Sequence, residues 1–328
     1  QMLAVSRRNA YDPLAHWLKE EILWDGVNRL EHFFPRYFGA TGEPRYLAQI
    51  GKSWLIATVA RGLQPGCKVD NVLVLQGGQG IGKSKSLKIL GGQFFSDTKF
   101  DIHDKDGRMM ASRFWIIELG ELASMRKADV ESLKSFFSAS TDDIRVPYGR
   151  VLESFPRRCV FVGSTNAEEF LPGDEQQRRY WPIRVGTIDL EALKADRDQL
   201  WAEATARFLA GERWWLEGDD VGLAEVEAQS VSRASPYTEP ILTWWLKLSH
   251  RPETVTTSQV ASEALGMLTS QATGGVRQEI GIALRSMGFE RVKKRMAGVP
   301  VNVYRTPKEL LDATKNSTAQ ILSAVKSK

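Results

Sequence analysis

The chain has 328 residues, 42% of them hydrophobic and 26% charged, with a formal net charge of +4. This is an ordinary globular composition, long enough for two or three domains with real cores, and it excludes a low-complexity or fibrous chain. No apolar run can span a bilayer, no signal-peptide pattern opens the chain, and Cys67 and Cys159 lack zinc-ligand spacing. A cytoplasmic protein with no membrane partner and no zinc site is therefore expected.

In chain order, residues 1–66 predict an N-terminal helical subdomain. Apolar residues recur at helical spacing in Leu14, Trp17, Leu18 and Ile22, and again in Ile50, Trp54, Leu55 and Val59. The opening at Gln1-Met2 reads as a fragment of a longer protein. Residues 67–205 alternate strand-like and helix-like segments, the α/β signature. The first is Asn71 to Gln76, a short apolar run suited to a buried parallel strand.

The next eight residues, Gly77-Gly78-Gln79-Gly80-Ile81-Gly82-Lys83-Ser84, fit G-x-x-x-x-G-K-[ST] at every fixed position. The glycines let the backbone N–H groups turn toward phosphates. Lys83 is expected to reach the β- and γ-phosphates, and the Ser84 hydroxyl to ligate Mg²⁺. A helix from Lys85 to Leu90, ending near Gly91-Gly92, would add its N-terminal dipole. The substrate class expected is a nucleoside triphosphate, ATP, with Mg²⁺.

Phe114-Trp115-Ile116-Ile117-Glu118-Leu119-Gly120-Glu121 places acids after an apolar strand. Glu118 is assigned to the metal and Glu121 to water activation, although the roles are exchangeable and plain surface acids are the competing reading. Residues 134–150 include Pro147-Tyr148-Gly149 between arginines, which reads as a hairpin tip. The strand Cys159 to Ser164 runs into Thr165-Asn166. Asn166 is expected to orient water, against the alternative of a simple turn residue. Arg178 and Arg179, before Tyr180-Trp181-Pro182, suit an arginine finger supplied across a subunit interface, or else a solvated pair.

Residues 206–238 read as a linker, with a solvated acidic stretch from Glu217 to Glu227. Residues 239–308 read as a separate small domain: a helix from Ser258 to Leu265, a helix from Val276 to Met287, then two strands around Ala297-Gly298. That order resembles a winged helix. From Arg285 to Arg305 there are six basic residues and one acid. Arg291, Lys293, Lys294 and Arg295 are the expected phosphate contacts, with protein binding as the alternative use of the same module. Residues 309–328 read as a short helix or tail.

Taken together, the glycine loop, Glu118 to Glu121, Ser164-Thr165-Asn166 and the paired arginines resemble motifs A, B and C and the finger of superfamily 3 helicases, a branch of the AAA+ ATPases. The closer resemblance is to the virulence-associated E family of phages and genomic islands. It rests also on Trp24-Asp25-Gly26, Pro65 to Asp70 and Arg178-Arg179-Tyr180-Trp181-Pro182, and covers roughly residues 10–190. Many such helicases carry two adjacent acids at motif B, where Leu119-Gly120 stand between the acids here. The resemblance implies an AAA+-like parallel sheet with flanking helices, a homo-oligomeric ring, a hexamer, and single-stranded DNA in its pore. It also implies a primase or polymerase module as a further partner. Similar helicases put a basic hairpin at residues 134–150 facing the pore. Arg145, Tyr148 and Arg150 are then the expected DNA contacts, with Lys134 beside them, unless they pack on a neighbouring subunit.

The function expected is an ATP-dependent helicase or translocase on single-stranded or forked DNA in phage, plasmid or island replication. Two rivals stand beside it. One is an ATP-regulated initiator that assembles on DNA without unwinding it, and the other is a small-molecule phosphotransferase.

Overall fold

A computed structural model describes residues 11–98, 109, 111–120, 136–145, 152–171, 179–232, 235–296 and 299–312. The chain divides into two compact units. One comprises Gln1–Phe170 and Arg178–Val231, the other Leu171–Gln177 and Ser232–Lys328.

The first unit is built on a five-stranded parallel sheet. Its strands are β1 (Val72–Gln76), β2 (Phe95–Ser96), β3 (Ile116–Leu119), β6 (Val160–Thr165) and β7 (Tyr180–Arg184), in the order β2-β3-β6-β1-β7. All neighbouring pairs are parallel. β1 is Val-Leu-Val-Leu-Gln and is buried throughout, as a strand covered on both faces requires. A separate antiparallel pair, β4 (Thr141–Arg145) and β5 (Leu152–Pro156), forms between β3 and β6 in the chain.

Helices flank the sheet. α1 (Pro13–His16) is capped by Asp12 and runs into a π-helical turn at Trp17–Glu21. α2 is Phe33–Phe38, α3 Pro44–Leu63, α4 Lys83–Gly91, α5 Leu190–Leu209 and α6 Asp219–Ser230. α3 begins with Pro44 at its first position and Glu43 as cap, where a missing N–H costs nothing. α3 and α5 pack together, and residues from the first 66 share one apolar core with the strands. Aromatic rings fill it: Trp115 and Trp201 lie 4.5 Å apart, and Phe33 stacks on Trp54. The acidic stretch after Glu217 is not an open linker. It forms α6, which packs on β7 and α3.

Two buried arginines tie the small hairpin down. Arg157, directly after β5, donates to the Asp142 carboxylate on β4, with Nε at 2.8 Å from Oδ2, and its guanidinium lies 4.0 Å over the Phe136 ring. Arg61 at the end of α3 donates to the carbonyls of Arg157 and Val69. Such charges are tolerated inside because each guanidinium meets acceptors, Arg61 through its two terminal nitrogens.

The second unit contains α7 (Thr238–Lys247), β8 (Thr254–Val255), α8 (Thr257–Glu263), α9 (Gly274–Ser286), β9 (Glu290–Met296), β10 (Val299–Arg305) and α10 (Lys308–Asp312). Its sheet has the order β8-β10-β9 and is antiparallel. Ile241, Trp245, Val260, Ile280, Leu284 and Phe289 form its own core. Thr256 and Thr273 cap α8 and α9 through their hydroxyls, which sets both helix starts. No helix among the described residues is long and apolar enough to cross a membrane.

Candidate functional site

The C-terminal ends of β1, β2, β3 and β6 meet at one edge of the parallel sheet, the usual place for a ligand crevice in such a sheet. A cavity of about 630 Å³ lies there, lined by Gly80, Lys83, Ser84, Asp97, Glu118 and Asn166 among others.

The glycine-rich loop leaves β1 and enters α4. Gly82 sits at the N-cap with φ 102°, a left-handed backbone that only glycine adopts freely. A Cβ on Gly77 would lie 2.8 Å from the Val185 carbonyl oxygen, so a side chain there would push the loop off the sheet. α4 has no side-chain cap. The N–H groups of its first turn have no intrahelical partner, and together with the helix dipole they favour an anion.

Lys83 is buried at the start of α4, and its ammonium donates to Gly77 O, Gly78 O and Asn166 Oδ1 at 2.7, 2.7 and 2.8 Å. Burial holds its pKa below the ordinary lysine value, against the opposing charge of Glu118. Glu118, at the end of β3, is 4% exposed. Its Oε1 accepts from the hydroxyls of Ser84 at 2.8 Å and Ser164 at 2.6 Å. Its Oε2 is buried and has no hydrogen-bond partner among the described residues. Asn166 follows β6. The turn that carries it is held by Gln76, whose amide donates to the carbonyls of Ala167 and Glu168, and by the Gly77 N–H bond to Thr165 O.

These side chains can bind an anion and a hard cation side by side. The uncapped helix start and the Lys83 ammonium suit phosphate oxygens. The Ser84 hydroxyl and a carboxylate with one unpartnered buried oxygen suit Mg²⁺, which prefers oxygen donors and keeps several waters. The residues present thus fit a triphosphate with its metal.

Of the residues read from the sequence, Gly77, Gly78, Gln79, Gly80, Ile81, Gly82, Lys83 and Ser84 form the loop and helix start, and Glu118 and Asn166 come together with them. Arg179 does not. It immediately precedes β7, and β7 starts level with Val72 at the far end of β1. Five residues of strand, about 16 Å at roughly 3.3 Å each, separate that level from the loop. Arg179 is not among the described residues lining the cavity. Glu121, Lys134, Tyr148, Arg150 and Arg178 lie outside the described residues, and Arg145 is placed by its backbone alone, opposite Leu152 at the end of β4. Arg291, Lys293, Lys294 and Arg295 are exposed on β9 in the second unit.

Sequence reasoning passed over three residues here. Asp97 lies just past β2, a strand too short to signal itself, and lines the cavity. Gln76 ends an apolar strand with a buried amide, which is a readable anomaly. Ser164 was grouped with its neighbours and given no role of its own.

Residues 18–233 match the family model described as virulence-associated protein E-like domain. No curated protein matches the chain. Among solved structures, the apo structure of the NrS-1 C terminal region (305-718) is 13% identical, with 91% of this chain and 79% of that chain covered and a TM-score of 0.46. The A form apo structure of the same region has the same identity and coverage, with a TM-score of 0.47.

Proposed function

From the premise that the chain belongs to the virulence-associated protein E-like domain family, we propose that it is a P-loop ATPase of superfamily 3 type that drives movement along DNA during replication of a mobile element. The observation that carries this reading is the convergence of Lys83, Ser84, Glu118 and Asn166 on one cavity behind a glycine-rich loop.

In this reading the α4 N-terminus and Lys83 bind the β- and γ-phosphates of ATP. Ser84 and Glu118 hold Mg²⁺, Ser84 by its hydroxyl and Glu118 from the outer shell. An ion held there would supply positive charge to offset that of the phosphate oxygens in the transition state. Asn166 orients the attacking water through its amide, and Glu121 takes its proton. Burial of Lys83 and Glu118 strengthens each electrostatic contact by excluding solvent.

The position of Arg179 at the opposite end of the sheet favours a role in a neighbour's site rather than its own. A ring, with six copies as the expected number, meets that requirement. Hydrolysis would then move the β4–β5 hairpin, with Arg145, Tyr148 and Arg150 as strand contacts and Lys134 as a further one. In the second unit, the order α8, α9, β9, β10 supports a winged-helix reading, with the exposed basic residues of β9 facing nucleic acid phosphates.

Strand displacement tests the proposal. With ATP and Mg²⁺ the protein should release a labelled strand from a forked duplex. ATP-dependent assembly on the fork with no strand released would instead identify an initiator.

A further inference from the structure

Glu118 is held by an arrangement that an apolar strand would not produce by chance. On one face of β6, Val160 and Val162 are apolar and buried, and the next residue on that face is Ser164, 8% exposed. Its hydroxyl donates to Glu118 Oε1 at 2.6 Å. Ser84 donates to the same oxygen at 2.8 Å, so one carboxylate oxygen accepts two hydrogen bonds while the other is buried without a partner among the described residues. A carboxylate with an unpartnered buried oxygen is costly unless a cation comes to it.

The two serines differ in what they can still do. Ser84 stands at the first turn of α4, exposed to the cavity, and its lone pairs stay available while its proton is given to Glu118. Ser164 also borders the cavity but is only 8% exposed, and its hydroxyl is directed at Glu118. Building on the nucleotide-site reading above, we infer that Ser164 is a positioning residue for the metal: it fixes the Glu118 carboxylate so that the Ser84–Glu118 pair selects Mg²⁺. Phosphate binding does not depend on it, because Lys83 and the loop amides act from β1 and α4. The contribution of Ser164 is therefore the part of nucleotide affinity that requires the divalent ion.

The test is binding of a non-hydrolysable ATP analogue, titrated in Mg²⁺ and in EDTA, for the intact chain, Ser164→Ala and Ser164→Thr. The intact chain should bind more tightly with Mg²⁺. Ser164→Ala should lose about tenfold or more of that Mg²⁺-dependent gain, the usual cost of removing an outer-shell partner at a metal site, and match the intact chain in EDTA. Ser164→Thr, which keeps the hydroxyl, should restore it. Equal affinity of Ser164→Ala and the intact chain in Mg²⁺ would overturn the inference. An equal loss in Mg²⁺ and EDTA would also overturn it, by showing a merely structural role. An intact chain that binds no analogue would instead refute the nucleotide site itself, and this inference with it.

Discussion

Lys83 and Asn166, 83 residues apart in the chain, meet through a 2.8 Å hydrogen bond from the lysine ammonium to the asparagine Oδ1. The same ammonium donates to two loop carbonyls, so all three of its protons are engaged. A phosphate can reach Lys83 only by displacing one of these acceptors. Asn166 is the exposed side chain of the three partners, and its release would free its amide for water. Asn166→Ala should therefore bind ATP within about threefold of the intact chain but hydrolyse it roughly 10²–10³ times more slowly, the cost of one lost transition-state contact. Binding and single-turnover rates, measured separately, check this. A large loss of binding with hydrolysis of bound ATP unchanged would contradict it.

The placement of Arg179 at the far end of β7 gives a sharper expectation about assembly. Lys83→Ala and Arg179→Ala should each be inactive alone. Mixed together they should recover part of the activity, because some interfaces then pair an intact Lys83 with an intact Arg179. Activity of the mixture no greater than the sum of its parts would exclude a shared site.

The Arg157–Asp142 pair is almost wholly buried, at 1% and 3% exposure, whereas Arg213–Glu217 is open to solvent. Asp142→Ala leaves a buried guanidinium without its carboxylate and should cost about 3–5 kcal/mol in chemical denaturation. Glu217→Ala should leave the denaturation midpoint nearly unchanged, because water already screens that pair. Similar effects of the two substitutions would refute this account of how the β4–β5 hairpin is anchored.

Alkaline stability should depend on Cys159. Burial pushes its thiol up to about 12 from an ordinary 9.0, with Arg157 and Arg61 pulling weakly the other way. The folded state therefore keeps the proton that the unfolded state loses. The stability from this difference is whole below pH 9 and is lost as pH rises toward 12, at about 1.4 kcal/mol per pH unit. Cys159→Ala has no such slope. Its stability deficit relative to the intact chain should shrink by about that amount between pH 9.5 and pH 10.5, read by urea unfolding.

On β9, Lys293→Ala with Lys294→Ala should weaken duplex binding similarly across sequences. It should also reduce the salt dependence by roughly 0.9 in log–log slope for each phosphate contact removed. An unchanged slope would move the nucleic-acid contacts elsewhere.

Much of this was legible because the signals are local. The run from Val72 to Gln76 could only be a buried strand, and the glycines after it demanded a loop before a helix, so β1, the loop and α4 follow from neighbouring residues. α8, α9, β9 and β10 came out within about two residues of their observed ends for the same reason, whereas α7 and β8 were not read from the sequence. What failed was non-local. The Glu217–Glu227 stretch looked like solvated linker because nothing in its charge pattern reveals that Ala224 and Ala228 are buried in α6. β2 has two residues and exists only because β3 pairs with it, so Asp97 could not be foreseen at the cavity. Trp24-Asp25-Gly26, which carried part of the family resemblance, also acts as a strut, a role its sequence does not announce. Asp25 holds Arg29 through two hydrogen bonds, and α5 takes the loop through Gln199 and Glu203.

The most direct test of the central claim is steady-state ATP hydrolysis by the intact chain and Lys83→Ala, each with Mg²⁺, in the presence and absence of single-stranded DNA. The expected result is hydrolysis that DNA stimulates in the intact chain and that Lys83→Ala abolishes. Hydrolysis indifferent to DNA, or unaffected by Lys83→Ala, would contradict it.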